Sequence, residues 1–218
     1  MSVKIAPSIL SSDFACLGEE IKKVSLAGAD YIHFDVMDGH FVPTITIGPL
    51  FVQALKKSTE LPLDVHLMIE NPEAHVKSFV EAGATNITVH IEACKDAKRT
   101  IKQIKSLGCK AGIALKPSTS IKKIEPVLSV VDFVLVMSVK PGFSGQAFMP
   151  AMVKRVTDIR KKLDIINPNA DLEVDGGINL KTLKIMKEAG ANIFVAGNAV
   201  FKHEQGTTVG VRELKLIL

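Results

Sequence analysis

The sequence predicts an α/β protein, a single (β/α)8 TIM barrel spanning residues 1–218. Short apolar runs alternate with amphipathic stretches along the whole chain, which is the alternation of βα units around a parallel sheet. Eight such runs fit within 218 residues, a compact barrel somewhat below the usual roughly 250. Three helical stretches end alike, at Ala27-Gly28-Ala29-Asp30, Ala82-Gly83-Ala84-Thr85 and Ala189-Gly190-Ala191-Asn192, where glycine can stop a helix before the next strand. An open doubly wound sheet is the alternative. It normally carries an early GxGxxG turn, and the first connection, Ser8-Ile9-Leu10-Ser11-Ser12-Asp13, has no glycine.

The elements follow in order. A first strand is expected over residues 4–9 and a helix over 14–26, then strands over 31–36 and 63–68. A helix over 72–82, a strand over 86–91, a helix over 97–107 and a strand over 111–115 come next. The helical pattern over 121–127 is the weakest, and it precedes a strand over 133–137 and a helix over 151–163. The last units are a strand over 172–175, a helix over 180–189 and a strand over 193–196. Most helical stretches space apolar residues three or four apart, as a helix with one buried face requires. No linker, low-complexity segment or charge block divides the chain.

Composition narrows the function. The 47% hydrophobic content is enough for a full core. The net charge of +4 comes from scattered lysines without a basic run, and one Tyr and no Trp leave little to stack on bases, so no nucleic-acid partner is expected. No window approaches the roughly 20 apolar residues of a membrane span. Met1-Ser2-Val3-Lys4-Ile5 lacks the apolar stretch of a signal peptide, so a cytoplasmic protein is expected. Cys16, Cys94 and Cys109 form no CxxC pair and read as reduced thiols.

Barrel catalytic groups project from the C-terminal ends of strands. Period two aligns His33, Asp35 and Met37 on the second strand and Asp64, His66 and Met68 on the third, and the seventh ends at Asp175. Singly, a strand histidine is more often a hydrogen-bonded core residue, and a strand-end aspartate often a turn cap. Together His33, Asp35, His66 and Asp175 can converge as two imidazoles and two carboxylates, costly to bury without a partner. Such a set suits one divalent ion of Zn, Fe, Co or Mn rather than all-oxygen Mg or Ca. Asp64 lies a layer deeper and is expected to anchor a neighbour.

Glycines cluster late in the chain: Pro141-Gly142-Phe143-Ser144-Gly145-Gln146, Gly176-Gly177 and Gly197-Asn198 follow strands six, seven and eight. Any one pair could simply form a turn, but three successive loops let backbone N–H groups approach an anion, with a short helix after Gly197 adding its positive end. A nucleoside triphosphate is not expected, because GxxxxGK[ST] is absent. Met37, Met68 and Met137 at strand ends could form an apolar ceiling over a small substrate. A metal, a carboxylate pair and a phosphate cradle together suggest proton abstraction next to a carbonyl, with Asp35 and Asp175 exchanging acid and base roles.

The motifs Ala6-Pro7-Ser8-Ile9-Leu10-Ser11, His33-Phe34-Asp35-Val36-Met37-Asp38-Gly39-His40-Phe41-Val42-Pro43, Asp64-Val65-His66-Leu67-Met68, Pro141-Gly142-Phe143 and Val174-Asp175-Gly176-Gly177-Ile178 resemble ribulose-phosphate 3-epimerases, over the whole chain. The resemblance implies a barrel of the ribulose-phosphate-binding type that interconverts D-ribulose 5-phosphate and D-xylulose 5-phosphate in the pentose phosphate pathway. It implies Asp35 as proton acceptor, Asp175 as donor, and His33, Asp35, His66 and Asp175 as metal ligands. Ser8 and His66 would contact the sugar, and Gly142, Phe143, Ser144, Gly145, Gly176, Gly177, Gly197 and Asn198 the phosphate end. A homo-oligomer is expected. Thr44, Lys116 and Lys140 stand where Asn is expected, Ser144 where Gly is, and Asn198 where Ser is. These bear on loop geometry and on preference, since a related subgroup acts on the six-carbon D-allulose 6-phosphate. Two rivals are a Schiff-base aldolase using Lys116 or Lys140, and a non-catalytic sugar-phosphate-binding barrel.

Overall fold

Residues 2–217 are described in a computed structural model. The strands are β1 (Lys4–Pro7), β2 (Ile32–Met37), β3 (Leu63–Met68), β4 (Asn86–His90), β5 (Lys110–Leu115), β6 (Phe133–Met137), β7 (Asp171–Asp175) and β8 (Ile193–Ala196). The helices are α1 (Leu17–Leu26), α2 (Pro49–Lys56), α3 (Val76–Glu81), α4 (Ala97–Ser106), α5 (Ala151–Ile166), α6 (Leu180–Glu188), α7 (Asn198–Phe201) and α8 (Thr207–Leu216). All eight strands pair in parallel in the order β1-β8-β7-β6-β5-β4-β3-β2, which is the predicted (β/α)8 barrel.

The ring closes between β1 and β2 by a different device from the ladders elsewhere. One parallel bridge joins Ser8 to His33. Below it the Asp30 N–H donates to the Ile5 carbonyl at 2.9 Å, and the Ile5 N–H donates to the Asp30 carboxylate at 2.7 Å. Lys215 of α8 pairs with the same carboxylate at 2.7 Å.

Alternation along each strand sorts the side chains into two populations. Outward residues such as Ile5, Phe34, Val65, Ile87, Ile113, Val134, Val174 and Phe194 meet the helices in one continuous core. Inward residues change character with height. Near the N-terminal end the Phe133 ring lies where Gly112 has no side chain; a Cβ there would strike the ring and the Thr88 hydroxyl. Higher up, His33, Asp64, His66, His90 and Glu173 are buried and polar.

Several boundaries differ from expectation. The first strand stops at Pro7, because Ser8 caps a 3-10 turn over Ile9–Ser11 by accepting from the Leu10 N–H at 3.3 Å. The weak pattern at 121–127 forms two 3-10 turns, Ile121–Lys123 and Glu125–Val127, and Pro126 at the start of the second has no N–H with which to continue the first. α3 begins only at Val76, after a 3-10 turn over Pro72–Ala74. Helices α2 and α8 were not anticipated. The short helix expected after Gly197 is α7. Among the described residues, no helix is long and apolar enough to cross a membrane.

Candidate active site

The four residues singled out from strand ends converge. β2 carries His33 and Asp35, β3 carries His66 in register opposite Asp35, and β7 carries Asp175. One ligand atom from each of His33, Asp35, His66 and Asp175 lies within 4.8 Å of the others. The His66 Nδ1 is 3.1 Å from Asp35 Oδ1 and 3.9 Å from Asp175 Oδ2. Ser8, beside β2 at the closing seam, donates its hydroxyl to Asp35 Oδ2 at 2.6 Å.

Asp64 does anchor a neighbour: its Oδ2 lies 2.7 Å from the His33 Nδ1. A carboxylate only accepts, so a proton sits on the His33 Nδ1, and the Nε2 faces the cluster 3.5 Å from Asp35, where the neutral ring offers its lone pair to a cation. Among the described residues that Nε2 has no hydrogen-bond partner, though it is fully buried. Two imidazole nitrogens and two carboxylates with an orphaned buried donor atom fit a divalent cation of the Zn, Fe, Co or Mn kind.

Without an ion, the crowded carboxylates of the cluster are balanced by protons instead. Burial disfavours charge on His33, yet the Asp35 and Asp64 carboxylates raise its proton affinity well above an ordinary histidine's. Burial likewise opposes ionisation of Asp35, but the His33 and His66 rings hold its carboxyl far below the usual range. Asp175 goes the other way: burial, and then the charge of Asp35, push it up to about 7. Glu173, two residues before Asp175 on the inner face of β7, lies beneath the cluster, and burial and the charge of Asp64 push its proton affinity well up.

Above these groups opens a cavity of about 420 Å³ at the C-terminal ends of the strands. Ser8, Asp35 and Asp175 line it, and Met37, Met68 and Met137 supply the expected apolar wall. Gly142, Phe143, Ser144, Gly145, Gly176, Gly177, Gly197 and Asn198 also line it, so the three late glycine loops meet at one side. At Gly177, φ is +64° and a Cβ would come within 2.8 Å of the Phe148 backbone, so the loop can pass here only as glycine. The Thr44 hydroxyl donates to the Gly142 carbonyl at 2.7 Å and ties the loop after β2 to the loop after β6.

Lys116 and Lys140 stand apart. Both border a separate groove with Phe41, Val42 and Met149 and do not line the main cavity, and the Lys116 ammonium lies 3.6 Å from the centre of the Phe41 ring. Sequence reading missed Ser11 and Lys202, which line the cavity, and His90 beside His66 with Glu92 behind it. The period of two along β4, which turns Thr88 and His90 inward, could have found His90. A lysine after a short helix carries no such signal.

A (β/α)8 barrel with a buried His/Asp cluster under a glycine-rimmed cavity defines the class: a barrel enzyme with a candidate metal centre at the catalytic end of its strands. The family model described as the ribulose-phosphate 3 epimerase family matches residues 4–201. A ribulose-phosphate 3-epimerase of Bacillus subtilis (strain 168) is 53% identical over 205 residues, covering 91% of this chain and 92% of that protein. A chloroplastic ribulose-5-phosphate-3-epimerase of Arabidopsis thaliana is 54% identical over 199 residues, covering 90% of this chain and 71% of that one. The chain belongs to the ribulose-phosphate 3-epimerase family and so to the epimerases. Among solved structures, a 3-hexulose-6-phosphate synthase superposes with a TM-score of 0.72 at 20% identity, covering 99% of each chain. A thiamine phosphate pyrophosphorylase from Pyrococcus furiosus gives 0.68 at 13%, covering 99% of this chain and 95% of that one. These two likenesses show the fold alone.

Proposed function

We propose that residues 1–218 act as one catalytic domain that interconverts D-ribulose 5-phosphate and D-xylulose 5-phosphate by inverting C3 through an enediolate. The observation that carries this is a pair of carboxylates that face one cavity from β2 and β7 in unlike surroundings: the neighbours of Asp35 favour its ionised form, while burial and Asp35 itself raise the proton affinity of Asp175. A pair whose environments push proton affinities apart supplies a base and an acid at the same pH. Asp35 removes the C3 proton, and Asp175 delivers one to the carbon. In the reverse direction the roles exchange.

Ser8 steadies Asp35 through its hydroxyl and touches the sugar, as does His66. His33, Asp35, His66 and Asp175 would hold one divalent metal ion. When bound, that ion supplies positive charge to the developing enediolate oxygens. The methionines exclude water from the reacting carbon. Backbone N–H groups of residues 142–145, 176–177 and 197–198 grip the phosphate. The same machinery would serve the six-carbon D-allulose 6-phosphate, because one added carbon changes little in a cavity of this size. We place the protein in the cytoplasm and in the pentose phosphate pathway, with a small sugar phosphate rather than nucleic acid or membrane as partner. Exposed Ile45 and Leu50, flanking the start of α2, favour assembly of copies.

Incubation of the metal-loaded protein with ribulose 5-phosphate in heavy water tests the proposal, with C3 followed by proton NMR. Deuterium at C3 with xylulose 5-phosphate appearing, both lost on chelation, is the expected result. No exchange in any metallated sample overturns it. Exchange only with the six-carbon sugar, run in parallel, moves the substrate and keeps the mechanism.

A further inference from the structure

Resting on that reading of the His/Asp cluster as a metal centre, we propose that His90 and Glu92 are positioning residues: they fix His66 in the tautomer whose bare Nδ1 faces the metal-ligating oxygens. His90 is the last residue of β4, fully buried, with its ring stacked on that of His66 at a centroid distance of 5.0 Å. Its Nε2 lies 2.8 Å from the His66 Nε2, so one proton is shared between them. Its Nδ1 lies 3.1 Å from Glu92 Oε2.

Glu92 decides where every proton in this chain sits. Its other oxygen accepts from the Lys116 N–H at 2.8 Å and from the Thr119 hydroxyl, so the carboxylate is held in place as an acceptor. An acceptor facing His90 Nδ1 requires the proton there. A neutral His90 then offers only a lone pair at Nε2, and the shared proton belongs to the His66 Nε2. His90 is fully buried and faces a single carboxylate, at Nδ1, which leaves nothing to balance a second proton on its ring. His66 Nδ1 is thereby left bare, 3.1 Å from Asp35 Oδ1 and 3.9 Å from Asp175 Oδ2. Lone pairs meeting at those distances without a proton are stable only around a cation. Asp64 does for His33 in one step what Glu92 and His90 do for His66 in two.

Two variants separate this relay from a packing role. In Glu92→Gln the Lys116 N–H and Thr119 hydroxyl hold the amide oxygen at their side, which turns the amide NH2 toward His90 Nδ1. The relay then inverts: His90 carries its proton on Nε2, and His66 on Nδ1, where it blocks the ligand atom. Glu92→Ala removes the constraint without inverting it.

Zn2+ affinity is measured by chelator competition on wild type and both variants, and histidine tautomers are read by long-range 15N–1H NMR. Glu92→Gln is expected to weaken Zn2+ binding about 10- to 100-fold, the usual scale for losing an outer-shell partner, and Glu92→Ala to weaken it less. The His90 proton should move from Nδ1 in wild type to Nε2 in Glu92→Gln. A merely structural Glu92 gives the opposite order, with the near-isosteric glutamine harmless and alanine worse; that order, or a wild-type His90 protonated on Nε2, overturns the relay. If the wild type binds no Zn2+, the metal-centre reading fails instead, and the His90 nitrogen shifts still judge the relay.

Discussion

Asp35 and Asp175 share a cavity and yet hold their protons very differently, because burial acts on both while they have different close neighbours. Ser8 is one of them: its hydroxyl donates to Asp35 Oδ2 at 2.6 Å, and a hydrogen bond to an ionised group is worth about 1.5–3 kcal/mol. Ser8→Ala should therefore raise the acid limb of the kcat/KM profile by about one to two pH units, since each unit is about 1.4 kcal/mol. A pH profile checks this, and an unmoved acid limb would show that Asp35 does not use the bond. Asp175 gives a second prediction, with its own sign. The unfolded chain releases this proton near 3.8 and the folded chain near about 7, so between those values the folded state binds more protons. Its contribution to stability is full below pH 3.8 and is lost as pH rises through about 7. In chelator, the urea midpoint of the wild type relative to Asp175→Asn should fall across that window. A difference that stays constant with pH would refute the raised proton affinity.

At the scale of elements, the site depends on loops that are pinned rather than free. The Thr46 hydroxyl donates to the Asp35 carbonyl at 2.7 Å and accepts from the Met37 N–H at 2.9 Å, which fixes the end of β2 that presents the base. The turn after β7 is held by Ser138, whose hydroxyl donates to the Gly176 carbonyl at 2.6 Å. Gly177→Ala forces a side chain into a left-handed backbone against Phe148, and should cost about 1–3 kcal/mol while raising KM for the phosphate ester. Urea unfolding and steady-state kinetics test both halves. Much of this scale was legible: a period of two placed His33, Asp35, His66 and Asp64 correctly, because strand geometry alone decides which face a residue takes. Helix boundaries were less so, since Ser8 and Pro126 end or divide elements through capping and a missing N–H rather than through periodicity. Spacing along β4 could have pointed to His90 but not to the part of Glu92, because Glu92 and its partners after β5 meet only in the folded barrel.

For the whole molecule, eight parallel strands and the alternation of outward apolar and inward mixed residues follow from the sequence pattern. How the ring closes does not, because the β1 and β2 seam relies on Asp30, a residue in a turn whose composition resembles the other helix ends. The far end of the barrel from the site is plugged by Phe133 over Gly112. Phe133→Ala should cost about 3–5 kcal/mol by opening a cavity, with kcat little changed, as calorimetry and kinetics would show. Gly112→Ala should also destabilise, and combining it with Phe133→Leu should recover part of the loss. Additive losses in the double variant would mean that the two positions do not share space. Because they do share it, neither residue is free to change alone: any larger side chain at 112 has to wait for a smaller one at 133. Lineages that depart from this arrangement must cross a less stable intermediate, so the two positions should be inherited, and replaced, as a pair.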